Sequence, residues 1–520
     1  MRINNSIINI SVGIGNQLII TFLSFFSRTV FINTLGVEYL GLNGLFTNLL
    51  AMLSLAEAGI GSSIIYSLYK PVADNDYEKI NVLMKLYKKA YTIIALVVLL
   101  LGLLLMPFLP YFIKDSSLQN IHVIYLLFLV NTVIPYFFSY KTNLLNVYQK
   151  SYITTAIFTG LSIASTCLKI AILYWTQNFI YYLIVDSTIV ISNSIILFII
   201  VNRMYPFLKE KVTAKLDAIT KSSIIKNVKA IVLQNVGTYF IFGTSNIMIS
   251  TFVSIAAVGL YSNYNMLIEI CRTFINQIFN NIYHSVGNLV AKESKEKIYS
   301  VYKVTMFLNF WLYSFCAIFM YVIIEPFITM WIGKQFVMEK MVLIVLMITF
   351  YERGMRNSIS TVKTTAGIFH EDRYAPLIQA VVNLGSSIWL VQVMGISGVF
   401  IGALISALLV PFWTTPYFVY KKVFQKPLMH YYGTYAYYAA IGLGTCLLTS
   451  LLCRWLTADT ILVLALKIII CLVVPNVVYI VLFYKTEEFK YVFGIVEQLV
   501  KKVLRKAKRI SRTNVPTGNS

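Results

Sequence analysis

The chain has 520 residues, of which 58% are hydrophobic, 15% aromatic and 12% charged, with a mean hydropathy of +0.74. A soluble fold of this length has nowhere to bury so much apolar surface, so the composition points to a polytopic membrane protein. The formal charge of +22 reads as membrane topology and not as a nucleic-acid partner, because the basic residues gather in the connections between apolar runs.

The N-terminal segment MRINNSIINISVGIGNQ has no basic stretch followed by a small-residue cleavage site, so no cleaved signal peptide is expected. Apolar runs long enough to cross about 30 Å of hydrocarbon then follow one another. The first, 7–33, carries Arg28 in its outer third. The second, 40–69, carries Glu57 among small residues that let helices approach closely. Spans 86–113, 121–147, 152–175 and 177–201 complete a first group. Lys141 stands at the inner end of 121–147, and Lys169 and Asp186 in the outer halves of the last two are placed to pair.

A polar stretch, 202–225, leads to a second group: 226–251, 255–285, 300–324, 340–366, 373–393 and 396–419. Glu269 and Arg272 sit at i, i+3 near the middle of 255–285, on one helix face. Glu352, Arg353 and Arg356 sit in the middle of 340–366. Glu352 and Arg356 can pair at i, i+4, which leaves Arg353 to water, an acid on another helix such as Glu57, or a ligand. Lys363 marks the inner end of that span. Two further spans, 431–453 and 460–484, bring the expected total to about fourteen. The tail 499–512 interleaves Val500, Val503, Leu504 and Ile510 with basic residues, as a surface helix on an anionic leaflet or a solvated topology anchor would.

With the N-terminus inside, most of the 43 Lys and Arg residues fall in cytoplasmic connections, while Lys114, Lys334, Lys340 and Arg454 fall outside. That asymmetry fits an even number of spans with both termini cytoplasmic. Segments also recur in order at a nearly constant spacing. Gly41-Leu42 answers to Gly259-Leu260, Glu78-Lys79-Ile80 to Glu296-Lys297-Ile298, Pro107-Phe108 to Pro326-Phe327, and Lys141-Thr142 to Lys363-Thr364. The expected fold class is therefore all-α, with two parallel six-helix lobes, 1–201 and 226–425. A cytoplasmic linker at 202–225 joins them, two additional helices lie in 426–485, and a basic tail covers 486–520. Transporters built from such repeats alternate access between the lobes.

A charge near the bilayer centre costs about 2.5–3.5 kcal/mol on insertion scales, so embedded charges usually face water or a ligand. Arginine presents a planar fork of donors that matches phosphate oxygens. Arg28, Arg272, Arg353 and Arg356, with Lys141 and Lys363 as a basic ring at the inner mouth, are the candidate substrate-binding residues. Glu57, Glu269 and Glu352 are candidates for charge balance or ion coupling. The polar residues Asn16, Gln17, Gln234, Asn235, Asn246, Asn263, Asn265, Gln277, Asn280 and Asn281 suit sugar hydroxyls or interhelical hydrogen bonds. The six cysteines form no CxxC pair and read as packing residues. His370-Glu371-Asp372 lacks the spacing of a metal site, and no P-loop is present. No cofactor is expected; H⁺ or Na⁺ remains open as a coupling ion.

The segments SRTVFINTLGVEYLGLNGLFTNLLAMLSLAEAGIGSSI (27–64) and VGLYSNYNMLIEICRTFINQIFNNIYHSVGNLVAKESKEK (258–297) resemble the second and eighth spans of Wzx-type flippases. These form the polysaccharide-exporter branch of the multidrug/oligosaccharidyl-lipid/polysaccharide superfamily, with MurJ-type lipid II flippases and MATE exporters as more distant members. The resemblance covers the first twelve spans. It implies a MATE-like fold and movement of undecaprenyl-pyrophosphate-linked oligosaccharide repeat units from the inner to the outer leaflet of a bacterial cytoplasmic membrane. It also implies polysaccharide polymerase and glycosyltransferases as partners. Arg28 and Arg272 occupy places where lipid II flippases carry cavity arginines, but Thr29 stands where those proteins have an acid, which favours a polysaccharide substrate. A membrane enzyme is disfavoured, because the longest outer connection, 325–339, leaves little room for a catalytic loop. A MATE-type exporter of cationic drugs would favour an acidic cavity, and the embedded charges here lean basic.

Overall fold

In the computed structural model the residues described are 2–57, 60–113, 118–210, 222, 224, 225, 228, 239, 240, 243–368, 371–457, 460–494 and 497. Among them all regular structure is helical, as expected where hydrocarbon offers backbone groups no water to bond. The chain begins with α1 (Arg2–Leu35), α2 (Val37–Leu53) and α3 (Ile60–Asp74), then α4 (Tyr77–Leu105) and the short α5 (Leu109–Phe112). There follow α6 (Ile121–Val133), α7 (Tyr136–Val147), α8 (Ser151–Thr176) and α9 (Phe179–Met204). After the interruption come α10 (Ser245–Phe252), α11 (Ile255–Lys292), α12 (Lys295–Trp331) and α13 (Lys340–Thr365). The remaining helices are α14 (Ala375–Met394), α15 (Ile396–Leu409), α16 (Pro411–Val419), α17 (Met429–Arg454) and α18 (Ile461–Phe483).

Among the described residues, 10 helical segments are long and apolar enough to cross a membrane. The expected spans outside that set are 40–69, 226–251, 255–285 and 340–366. The first is divided by a 3₁₀ turn, Ser54–Glu57. The third and fourth are the continuous helices α11 and α13, made more polar by Glu269 and Arg272 and by Glu352, Arg353 and Arg356. Most of 226–251 before α10 lies outside the described residues. So do Gln234, Asn235, His370, most of 211–225, the 499–512 tail and the side chains of Gln277, Asn280 and Asn281.

The chain divides into two compact units. One takes Met1–Met266 with Pro376–Ser406, the other Leu267–Ala375 with Ala407–Ser520. In the first unit α1 lies along α8, α8 along α9, and α9 along α6 and α7, while α4 packs on α3, α6 and α7. Leu42, Leu45, Phe46, Tyr87 and Tyr125 are its fully buried centre. The Tyr125 hydroxyl donates to Gly102 O at 3.0 Å. Leu96, Leu100 and Leu104 of α4 are exposed, as a lipid-facing stripe must be.

Also in this unit, the start of α2 crosses the start of α11 at two glycines. A Cβ on Gly41 would collide with the carbonyl of Ile255, and one on Gly259 with the carbonyl of Val37. Ile255 stands to Gly259 as Val37 stands to Gly41, so repeat-related residues exchange the same contact, the signature of a local two-fold relation. The matching segments Glu78-Lys79-Ile80, in this unit, and Glu296-Lys297-Ile298, in the other, each follow a helix cap. Asp76 caps α4 by accepting from Lys79 N at 2.9 Å, and Ser294 caps α12 by accepting from Lys297 N at 3.4 Å.

In the second unit α12 is central, packing on α13, α17 and α18. Tyr302, Phe307, Phe310, Met355, Tyr431 and Tyr479 form its core. Two polar ties hold α18 to α12: Trp311 Nε1 donates to Asn476 Oδ1 at 2.8 Å, and the Tyr479 hydroxyl to Ser314 Oγ at 2.9 Å.

Candidate functional site

Within the first unit α1, α2, α8, α9 and the start of α11 line an open pocket of about 400 Å³ with Ser24, Arg28, Asn43, Thr166, Lys169 and Tyr182 in its wall. Arg28 reaches it because Ser24, Ser27, Arg28 and Phe31 share one face of α1. Its Nη2 donates to Ser262 Oγ at 2.5 Å, and that hydroxyl donates to Gly259 O at 2.8 Å. The arginine is thereby braced on the backbone of the α2–α11 crossing. Its Nε is buried without a hydrogen-bond partner, and among the described residues no carboxylate pairs with it. Lys169 in the same wall forms an ion pair with Asp186. Its ammonium lies 4.8 Å from the Tyr182 ring centroid. The Lys169–Asp186 pair cancels, so Arg28 leaves the cavity with a net positive charge.

Glu57 sits at the turn between α2 and α3, where the Tyr91 hydroxyl of α4 donates to its Oε1. Lys141 on α7 donates to Asn202 Oδ1, and its ammonium lies 3.8 Å from the centroid of the Phe198 ring.

In the second unit the expected intrahelical pairs are both present. Arg272 Nη1 lies 2.8 Å from Glu269 Oε1, with both side chains substantially exposed. Arg356 Nε lies 3.0 Å from Glu352 Oε1, and its Nη2 donates to Oε2 at 3.1 Å. Glu352 is 2% exposed, so this pair is buried. Arg353 is half-buried beside it. Lys363 forms an ion pair with Asp372, and Lys422 forms one with Glu371. A second cavity, of about 450 Å³, is apolar and is walled by Ile318, Tyr321, Met347, Tyr351, Leu443 and Leu447 of α12, α13 and α17.

The structure therefore groups the sequence-derived residues unevenly. Arg28 joins Lys169, a residue expected only to pair with Asp186. Ser262, Asn43 and Tyr182 enter the site without any sequence signal, since helical spacing gives no information on which helix lies opposite. The tyrosines around Glu57 and the Asp372 partner of Lys363 also escape sequence reading. Among the described residues no cluster of His, Cys, Asp and Glu could hold a metal ion.

No protein-family model and no curated protein matches the sequence. The fold is similar to that of the lipid II flippase MurJ in its inward closed conformation, at a TM-score of 0.62 and 13% identity, covering 93% of this chain and 99% of that one. It is similar to a MATE transporter of Vibrio cholerae, VcmN, at 0.54 and 14%, covering 82% and 99%. It is also similar to the MATE multidrug transporter DinF-BH, at 0.55 and 15%, covering 81% and 97%. The chain thus has the all-α, multi-pass membrane fold of the MurJ and MATE transporters.

Proposed function

We propose that this protein is a flippase that moves undecaprenyl-pyrophosphate-linked oligosaccharide repeat units from the inner to the outer leaflet of a bacterial cytoplasmic membrane, by alternating access, for surface polysaccharide synthesis. The observation that carries the reading is Arg28: a guanidinium with no carboxylate partner among the described residues, facing an open pocket of mixed polar and apolar wall inside an apolar fold. Such a cation stays charged when partly desolvated and is matched by phosphate oxygens. It would repel the cationic cargo of a drug exporter. The apolar cavity of the second unit suits a stretch of polyprenyl chain.

Arg272, Arg353 and Arg356, with Lys141 and Lys363, are the other phosphate-binding candidates. Arg272, Arg356 and Lys363 hold carboxylates of their own unit, so each must exchange that carboxylate for phosphate to take part. In this reading 1–201 and 226–425 are the two moving lobes, 426–485 adds the last two of about fourteen spans, and both termini are cytoplasmic. Glycosyltransferases and a polymerase are the partners that supply and consume the cargo.

Deletion of the gene and restoration with wild type, Arg28→Lys or Arg28→Ala at matched membrane levels tests the proposal. The deletion and Arg28→Ala strains should lack a surface polysaccharide and accumulate lipid-linked repeat units inside. Intact polymer with altered drug sensitivity would place the chain with the exporters. A peptidoglycan defect with accumulated lipid II would place it with the lipid II flippases.

A further inference from the structure

The open pocket of the first unit holds two cations in its wall, Arg28 of α1 and Lys169 of α8. Helices α1 and α8 lie along each other, and Thr159 Oγ1 donates to Asn16 Oδ1 at 2.6 Å. That bond fixes their register. Counted from it, Arg28 lies 12 residues further along α1 and Lys169 10 residues further along α8. The corresponding rises are about 18 and 15 Å, so the two cations stand at nearly one level. Tyr182 joins them: it lies within electrostatic reach of Arg28, and the Lys169 ammonium is 4.8 Å from its ring centroid.

The two differ in what holds them. Arg28 bonds the Ser262 hydroxyl, whereas Lys169 is paired with Asp186. Asp186 stands one turn along α9 from Tyr182 and is not part of the pocket wall, in which no carboxylate appears among the described residues. Asn131 Nδ2 of α6 donates to the second oxygen of Asp186 at 3.5 Å. The Lys169 and Asp186 side chains are 15% and 35% exposed, and one nitrogen meets one oxygen. An ion pair that water reaches contributes little, so it opens readily. The Glu352–Arg356 pair is the opposite case, with two nitrogens on an enclosed carboxylate.

We propose that Lys169 is the ligand for the second phosphate of a diphosphate, and that Asp186 is the internal anion it gives up on binding and takes back on release. The proposal rests on the reading of Arg28 as a phosphate ligand. A phosphodiester, such as the headgroup of an ordinary phospholipid, carries one negative charge, which Arg28 alone neutralises. It offers Lys169 less than Asp186 does, so the pair stays closed. A diphosphate brings a second charged phosphate to the same wall, and the ammonium exchanges a carboxylate for phosphate oxygens, a charge-assisted hydrogen bond in either state. Asp186 is not stranded by the exchange, because Asn131 still donates to it. Lys169 thereby distinguishes a diphosphate from the single-charge phosphates of the surrounding membrane. Asp186 competes for Lys169 throughout, which keeps the bound state from becoming too tight to release its cargo.

Titration calorimetry on the purified full-length protein tests this with two probes of equal tail: farnesyl pyrophosphate, and farnesyl methyl phosphate, a diester with one charge. Lys169→Gln combined with Asp186→Asn removes both members of the pair and leaves no unpaired charge to destabilise the fold. The double variant is expected to bind farnesyl pyrophosphate about fivefold more weakly or worse, the scale of a charge-assisted hydrogen bond less the cost of opening an exposed pair. Its affinity for the diester should not change. Asp186→Asn alone should tighten farnesyl pyrophosphate and slow its release, because the competing anion is gone. Arg28→Ala should weaken both probes. Equal binding of farnesyl pyrophosphate by wild type and the double variant, or an equal loss of both probes in it, would overturn the role of Lys169 while Arg28 stood as a phosphate ligand. Unchanged or weaker binding in Asp186→Asn would overturn the role of Asp186. Wild-type binding of both probes by Arg28→Ala would overturn the reading of Arg28 itself.

Discussion

Arg356 holds Glu352 with two nitrogens at 3.0 and 3.1 Å, and the carboxylate is almost completely enclosed. Breaking such a pair from one side leaves an uncompensated charge in a medium that cannot solvate it, at a cost of about 3–5 kcal/mol, whereas replacing both members is often nearly neutral. Arg356→Met is therefore expected to lower the unfolding temperature of the detergent-solubilised protein sharply. Glu352→Gln combined with Arg356→Met should recover most of the loss. Transport then separates two roles: a stable, active double variant makes the pair a strut, and a stable, inactive one makes it part of the transport machinery. The presence of this pair was legible in the sequence, because embedded charges are costly enough to stand out and i, i+4 spacing fixes which can meet. The Glu269–Arg272 and Lys169–Asp186 pairs were legible on the same grounds. The surroundings of Glu57 and Arg28 were not. Tyr91 and Ser262 carry no charge to flag them, and their roles arise only when α4 meets the Ser54–Glu57 turn and α11 meets α1.

At the scale of elements, sequence repetition pointed to Gly41 and Gly259 without saying what they do. The structure gives them a shared task. Each removes a Cβ that would strike the carbonyl four residues before the other, so α2 and the start of α11 cross with their backbones nearly in contact. Forcing extra carbons into a well-packed crossing costs about 1–3 kcal/mol. Gly41→Val and Gly259→Val should each lower thermal stability by that order, and Gly160→Val, where no atom lies within 4 Å of the added Cβ, should not. Because Ser262 bonds both Gly259 O and Arg28, the two crossing variants should also disturb the Arg28 cavity, and a polysaccharide defect should accompany their loss of stability. Equal unfolding temperatures for all three variants would show that the crossing relaxes freely. The break at Ser54–Glu57 shows the limit of pattern reading at this scale. Periodicity carries an apolar run straight through 40–69, since a 3₁₀ turn keeps the same residue types and changes only the backbone hydrogen-bond register.

For the whole molecule, the segment that most tests the arrangement of spans is α13. It is 26 residues long, about 39 Å at 1.5 Å per residue, which exceeds the hydrocarbon thickness of about 30 Å. Yet it carries Glu352, Arg353 and Arg356 at its middle and falls outside the segments that are apolar enough to cross on composition alone. A helix with these charges can span only if its neighbours cover them, and the second unit supplies that cover: Glu352 is 2% exposed and the Arg356 side chain 13%. Packing, and not local hydropathy, would then decide that α13 crosses. Lys334 before α13 and Arg373 beyond it are both exposed, so single cysteines at the two positions report the crossing to a membrane-impermeant maleimide. Lys334→Cys should label in intact cells, and Arg373→Cys only after permeabilisation, because basic connections are held inside. Labelling of both from the same side would mean that α13 does not cross, and an even number of spans with both termini inside would no longer hold. Reversed labelling would keep the crossing but invert the molecule, and with it the direction of transport.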